Sequence, residues 1–231
     1  MKPWVCLDTA AVPGGSAPLR LMRRDEEYSI MLGTNELMNS RLSGSEQALA
    51  DLSASKIAGR TQPRVLIGGL GMGFTLRSAL SAFSADAEIV VAELVPEVIA
   101  WARGALAPVF GTCLSDPRVT LVNADVGSLI ASPGTGYDAI LLDVDNGPDG
   151  VSRAGNDRLY GAAGLKAART ALRPAGVLAV WSSGPSLAFT KRLQGANFGV
   201  ETVRARARSG GRGARHIIWI ATRPGRTSAQ P

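Results

Sequence analysis

Arg64-Val-Leu-Ile-Gly-Gly-Leu-Gly-Met-Gly73 reads as the end of a strand and the start of a helix. The apolar run Val65–Ile67 stops in glycines, and a helical pattern follows at Phe74, Leu76, Leu80 and Phe83. Glycines let a backbone pass close beneath a ligand, and a helix start offers free N–H groups and a partial positive charge. The spacing Gly69-x-Gly71-x-Gly73 would hold a nucleotide-like ligand at the carboxyl end of a first parallel strand.

Working outward, the same alternation continues. Strands are predicted over 65–68, 88–93, 119–122, 137–143 and 176–181, with helices to about 82, over 96–106, after Asp125, over 157–172 and over 187–193. Pro96 suits a first helical turn, where a missing N–H costs nothing. Two last strands, 200–205 and 216–221, flank a loop rich in Arg, Gly and Ser. Such alternation implies an α/β fold, a mostly parallel sheet with helices on both faces. Upstream, Trp4–Leu7 has weak strand character, followed by a Gly/Pro/Ala loop. Residues 28–32 and 36–40 flank Gly33-Thr-Asn35 as a hairpin, and Ser45 opens a helix. The expected organisation is a small N-terminal region (1–60), a catalytic domain (61–223) and a loose tail (224–231).

The chain has 231 residues and 45% hydrophobic residues, which suits one domain with a sizeable core. No apolar run approaches the ~18 residues that span a membrane, and the start does not read as a secretory signal, so the expected compartment is the cytoplasm. Cys6 and Cys113 fit neither a disulfide framework nor a metal site and read as free thiols. With a single histidine, His216, a histidine-based metal site is not expected; His216 reads as structural. The net charge is +6, but residues 186–231 hold nine Lys/Arg and one acid, Glu201. That basic segment could meet nucleic acid. A solvated surface explains it better, because no aromatic residues alternate with the arginines.

Polar residues collect at successive strand ends, where open α/β sheets bind ligands. Glu93, followed by Leu94, lies twenty residues after Gly73. A carboxylate there can accept from both hydroxyls of a ribose. Asp125 follows the third strand and could accept from an exocyclic adenine amine, with Ala124 or Val126 against the ring. Asp143 opens the polar loop Asp143-Val-Asp-Asn-Gly-Pro148.

With these residues in place, 64–181 resemble a class I S-adenosylmethionine-dependent methyltransferase domain, and more narrowly the spermidine synthase (polyamine aminopropyltransferase) family. The likeness rests on 65–73 with Leu76-Arg77, Ala92-Glu93 with Pro96–Ile99, Asp116-Pro-Arg-Val119 with Asn123-Ala-Asp125, Tyr137–Asp143, Leu159-Tyr160 and 172–177. It implies a Rossmann-like sheet of seven strands with the last one antiparallel, and a small N-terminal β-region that is short here. It implies a ligand of the adenosyl-thioether kind, S-adenosylmethionine or its decarboxylated form. Glu93 would then serve the ribose, Asp125 the adenine, and the backbone of Gly69, Gly71 and Gly73 the ligand's amino-acid part.

Two departures bear on the chemistry. Aminopropyltransferases carry an aspartate in the glycine turn, where this chain has Met72, and a second one, thought to deprotonate the attacking amine, where it has Asn146. An amide is no base at pH 7, and Asp145, one residue off, would point another way in an extended loop. The sequence therefore leans to methyl transfer from S-adenosylmethionine to a small nucleophilic acceptor. Asp143 would bind the donor's amino end or the acceptor, and Asp145, Asn146 and Tyr160 would line the acceptor side. The alternatives are aminopropyl transfer to a diamine, with Asp145 as base, and a cofactor-binding or regulatory protein without turnover. A Rossmann dehydrogenase fits less well, since neither Tyr-x-x-x-Lys nor a histidine marks the crevice. An exposed hairpin edge could pair across a homodimer.

Overall fold

The computed structural model describes residues 2–15, 17–144, 147–148, 158–207 and 213–225. A seven-stranded sheet forms the centre. Its strands are β5 (Arg64–Gly68), β6 (Glu88–Glu93), β7 (Val119–Asn123), β8 (Tyr137–Leu142), β9 (Leu172–Ser182), β10 (Gly199–Arg206) and β11 (Arg215–Thr222). Their order across the sheet is β10-β11-β9-β8-β5-β6-β7. β5 to β9 run parallel, and β11 inserts antiparallel between β9 and β10. This is the arrangement implied by the family resemblance.

Strand periodicity sends side chains to two cores. Val65 and Ile67 of β5, with Ala139 and Leu141 of β8, face one core; Leu66, Ile140 and Leu142 face the other. All six residues of β8 are buried, as expected for the middle of a doubly covered sheet. The first core packs against α1 (Gly44–Lys56), α2 (Phe74–Ala82) and α3 (Pro96–Arg103) through Leu49, Leu76, Val98 and Trp101. The second packs against α5 (Val126–Ala131), α6 (Ala162–Ala171) and α7 (Leu187–Gly195) through Ile130, Leu165 and Phe189. Each fully buried aliphatic or aromatic side chain contributes about 1.5–3 kcal/mol relative to exposure. A short α4 (Ala107–Phe110) follows α3, which ends at Gly104 rather than running on to Leu106.

The amino end of the sheet is pinned by Asp138, only 2% exposed. Its carboxylate meets the guanidinium of Arg60, accepts from Arg173 at 2.8 Å, and accepts the Arg64 backbone N–H at 2.8 Å.

The N-terminal region is larger than a hairpin. β1 (Val5–Ala10), β2 (Leu19–Arg24), β3 (Glu27–Leu32) and β4 (Asn35–Asn39) form a separate antiparallel sheet in that order. β2 is unmarked by the hairpin reading, yet Leu19 and Leu21 alternate inward, and Asp25 makes the tight turn at φ +54°. The inner face, with Leu21, Tyr28 and Ile30, joins the first core. Among the described residues no helix is long and apolar enough to cross a membrane. Cys6 is exposed and Cys113 buried, and neither is in a disulfide.

Candidate active site

The site forms at the carboxyl ends of the parallel strands. Gly69 N–H donates to the Ala92 carbonyl at 2.9 Å, and Asp143 N–H donates to the Gly68 carbonyl at 3.0 Å. These bonds tie the end of β5 to both neighbours. Gly69 has φ +88°, and a Cβ there would lie 2.7 Å from the Asp143 carbonyl oxygen, so no other residue fits without displacement. Gly73, at φ +72°, is the N-cap of α2 and is pressed against the Phe110 ring.

Glu93 is 8% exposed. One carboxylate oxygen accepts Leu70 N–H at 3.0 Å and the other accepts Val95 N–H at 2.9 Å. The acid thus holds the glycine turn against the end of β6. Burial pushes its pKa above the usual carboxylate range, and the backbone donors pull the other way. Asn123 Nδ2 donates to the Glu93 carbonyl at 2.8 Å, which positions the end of β7 alongside. Asp125 caps α5, accepting Gly127 N–H at 2.7 Å.

Glu93, Asp125 and Asp143 line one cavity of about 370 Å³. Its floor is the glycine turn at Gly69 and Gly71, and its walls include Leu94, Val95, Ala124, Val126 and Val144. Its roof comes from the N-terminal sheet, through Leu19, Ile30, Leu32, Leu37 and Met38. An apolar slot with three carboxylates at its edges suits a nucleoside, with a flat ring between aliphatic walls and hydroxyls against acid.

Asp143 is perturbed as well. Its Oδ2 accepts a 2.6 Å hydrogen bond from Thr75 Oγ1. Burial first, and then the negative charge of Glu46 on α1, raise its pKa from 3.8 to about 7, while the Thr75 hydroxyl opposes the change. Glu46 is likewise pushed up, mainly by burial, against the Ser45 hydroxyl and its own backbone N–H. Two carboxyls that repel each other in half-buried surroundings favour holding a proton between them.

The expected residues are partly assembled. Gly69, Gly71, Glu93, Leu94, Asp125, Val126 and Asp143 line the cavity. Gly73 does not; it shapes the turn from behind. Met72 is 2% exposed and packs into the first core instead of facing the cavity. Tyr160 is also in a core, edge-on to Phe189 at 5.6 Å between ring centroids, rather than in the cavity lining. Asp145 and Asn146 lie outside the described residues. Sequence reasoning missed Thr75, Glu46, Arg158 and the roof. Thr75, two residues past Gly73, was within reach of a local reading. Glu46 was not, since only the packing of α1 brings it near Asp143.

The fold and the site define a class I methyltransferase-like α/β domain with a nucleoside-sized cavity at its strand ends. Compared with known proteins, it shares its fold with spermidine synthases and a part of its sequence with a polyamine aminopropyltransferase. A 100-residue stretch is 36% identical to the polyamine aminopropyltransferase of Corynebacterium efficiens, covering 42% of this chain and 19% of that protein. The match thus spans about a fifth of that relative's length. The spermidine synthase from Thermotoga maritima superposes with a TM-score of 0.73 at 18% identity, covering 94% of this chain and 72% of that one. A spermidine synthase in complex with the transition-state analogue AdoDATO gives 0.72 at 17% identity, with the same coverage. No family model matches the chain. The Corynebacterium efficiens relative is named for aminopropyl transfer, not for the methyl transfer toward which the sequence leans.

Proposed function

We propose that the chain transfers an aminopropyl group from decarboxylated S-adenosylmethionine to an amine. The observation that carries this reading is the half-buried Asp143, bonded to Thr75 and in the field of Glu46, at the edge of a nucleoside-sized cavity. Asn146 and Met72 argue from sequence against an amine acceptor, because two acids are missing. Glu46 supplies an acid that the sequence pattern does not show.

In this reading Glu93 receives the ribose hydroxyls, Asp125 the adenine amine, and the aliphatic walls the ring. An acceptor amine enters as an ammonium and needs a free lone pair. Asp143, with a pKa near the working pH, takes that proton, which is where a general base is most effective. The nitrogen then attacks the donor's propyl carbon next to sulfur, the C–S bond breaks, and a neutral thioether leaves. The remaining catalysis comes from holding nitrogen, carbon and sulfur in line.

One observation favours methyl transfer as a second reading. Arg158 lines the cavity, and a guanidinium there suits the carboxylate of intact S-adenosylmethionine. One assay separates the two. Purified protein is given a diamine with either donor, and the nucleoside product is identified by chromatography. Methylthioadenosine from the decarboxylated donor is expected, with kcat reduced about 10²–10⁴-fold in Asp143→Asn. S-adenosylhomocysteine from the intact donor would replace this reading with methyl transfer. Binding without either product would leave a cofactor-binding protein.

A further inference from the structure

We propose that Glu46, Ser45 and His216 form a proton relay that carries protons from the acid pair beside the cavity to solvent. Ser45 Oγ lies 2.7 Å from Glu46 Oε2 and 2.8 Å from His216 Nδ1. Ser45 is fully buried, and its one hydroxyl proton can serve only one of these neighbours at a time. His216 sits at the start of β11, partly exposed, with the Trp181 indole of β9 edge-on to it at 4.8 Å.

Two arrangements satisfy the three groups. With Glu46 ionised, Ser45 O–H donates to Glu46 Oε2, and His216 Nδ1–H donates to Ser45 Oγ. With Glu46 protonated, its O–H donates to Ser45 Oγ, Ser45 O–H donates to the bare Nδ1, and the ring proton sits on Nε2. Passage between them moves the Glu46 proton to Ser45 and the Ser45 proton to Nδ1. Glu46 is left as a carboxylate, the hydroxyl is intact, and the ring is a cation. The ring then loses its Nε2 proton to water. Burial lowers the His216 pKa, so the cation is short-lived and release is favoured.

The acidic end of this network is the one beside the cavity. Asp143 beyond β8 contributes negative charge at the Glu46 end. On β10, Ala205 is opposite His216 in the register, while Arg204 and Arg206 alternate to the other face, as does Arg215 on β11. On α1, Lys56 is paired with Glu201, and Asp51 lines a separate hollow with Arg77.

The relay rests on the transfer reaction proposed above, which must dispose of one proton per turnover, but its first test needs no turnover. His216 is the single histidine, so ¹⁵N-histidine labelling of the full chain gives one pair of ring-nitrogen signals. The expected result is an Nδ1–H ring at high pH that converts to Nε2–H as Glu46 takes up its proton. Glu46→Gln should abolish this response, and Ser45→Ala should uncouple the ring from residue 46. Ring signals that titrate alike in wild type and both variants would overturn the relay; the wild-type titration alone suffices if a variant fails to fold. In the active enzyme, Ser45→Ala should lower kcat about tenfold or more at unchanged KM, with an altered solvent isotope effect. An unchanged kcat and isotope effect would overturn the relay. A wild type that turns over neither donor would overturn the transfer reaction alone, and the nitrogen response would then decide the relay.

Discussion

Replacing Asp143 with asparagine should make the protein more stable and less active, and the gain should depend on pH. The carboxyl sits at the end of β8, bonded to Thr75 at 2.6 Å and in the field of Glu46. Its pKa in the folded protein is about 7, against an ordinary value of 3.8. Between about pH 4 and 7 the folded protein therefore holds a proton that the unfolded chain has released. Stability falls as pH rises through that window and stays low above it. A displacement of that size corresponds to about 4 kcal/mol. Because the charge is shared with Glu46 and the site is partly exposed, roughly 2–4 kcal/mol is the realistic range. Asparagine keeps the shape and an acceptor for Thr75 but carries no charge, and it relieves Glu46 as well. Urea unfolding at a series of pH values measures the effect. Wild type and Asp143→Asn should be equally stable near pH 4, and the variant ahead by that range at pH 8, with turnover lost. Equal stability at pH 8, or a difference that does not change with pH, would refute the electrostatic account of Asp143 and with it the reason to assign it a base's role.

Other consequences follow from the same geometry. Glu93→Ala leaves two buried N–H groups, of Leu70 and Val95, without acceptors, at about 1–3 kcal/mol each, and should weaken methylthioadenosine binding at least about tenfold by calorimetry. Retained affinity would remove the ribose assignment. Gly69→Ala forces a Cβ to within 2.7 Å of the Asp143 carbonyl at φ +88°. It should cost roughly 1–3 kcal/mol in thermal unfolding and weaken the nucleoside site, and an unchanged Tm would show that the turn yields. Asp138→Ala strands Arg60 and Arg173 at the opposite end of the sheet. It should destabilise by about 3–5 kcal/mol in urea while the folded protein keeps its nucleoside affinity.

Much of the site was legible because each residue is announced by its own strand. Apolar runs ending in Gly69, Glu93, Asp125 and Asp143 place polar groups at one edge of a parallel sheet by topology alone. Tyr160 and Met72 show where that logic stops. Both flank the expected site in sequence, and both turn into the cores, because helix phase and turn geometry decide which way a neighbouring side chain points. β2 escaped because three of its six residues are arginines and Arg23 falls in phase with Leu19 and Leu21, so the apolar alternation is only two residues long.

By itself the sequence determined the βαβ rhythm, the glycine turn and the acids that face a ligand crevice. These are local properties: a period of 2 or 3.6, a residue that tolerates positive φ, a polar group after an apolar run. Tertiary structure alone decided the rest. It set the antiparallel β11 between β9 and β10, laid an apolar β-sheet over the cavity, brought Glu46 to Asp143, and joined Ser45 to His216 across 171 residues. Those pairings depend on how faces of different elements pack. A periodicity gives the face that each element buries, and only the packed core decides which other face it meets.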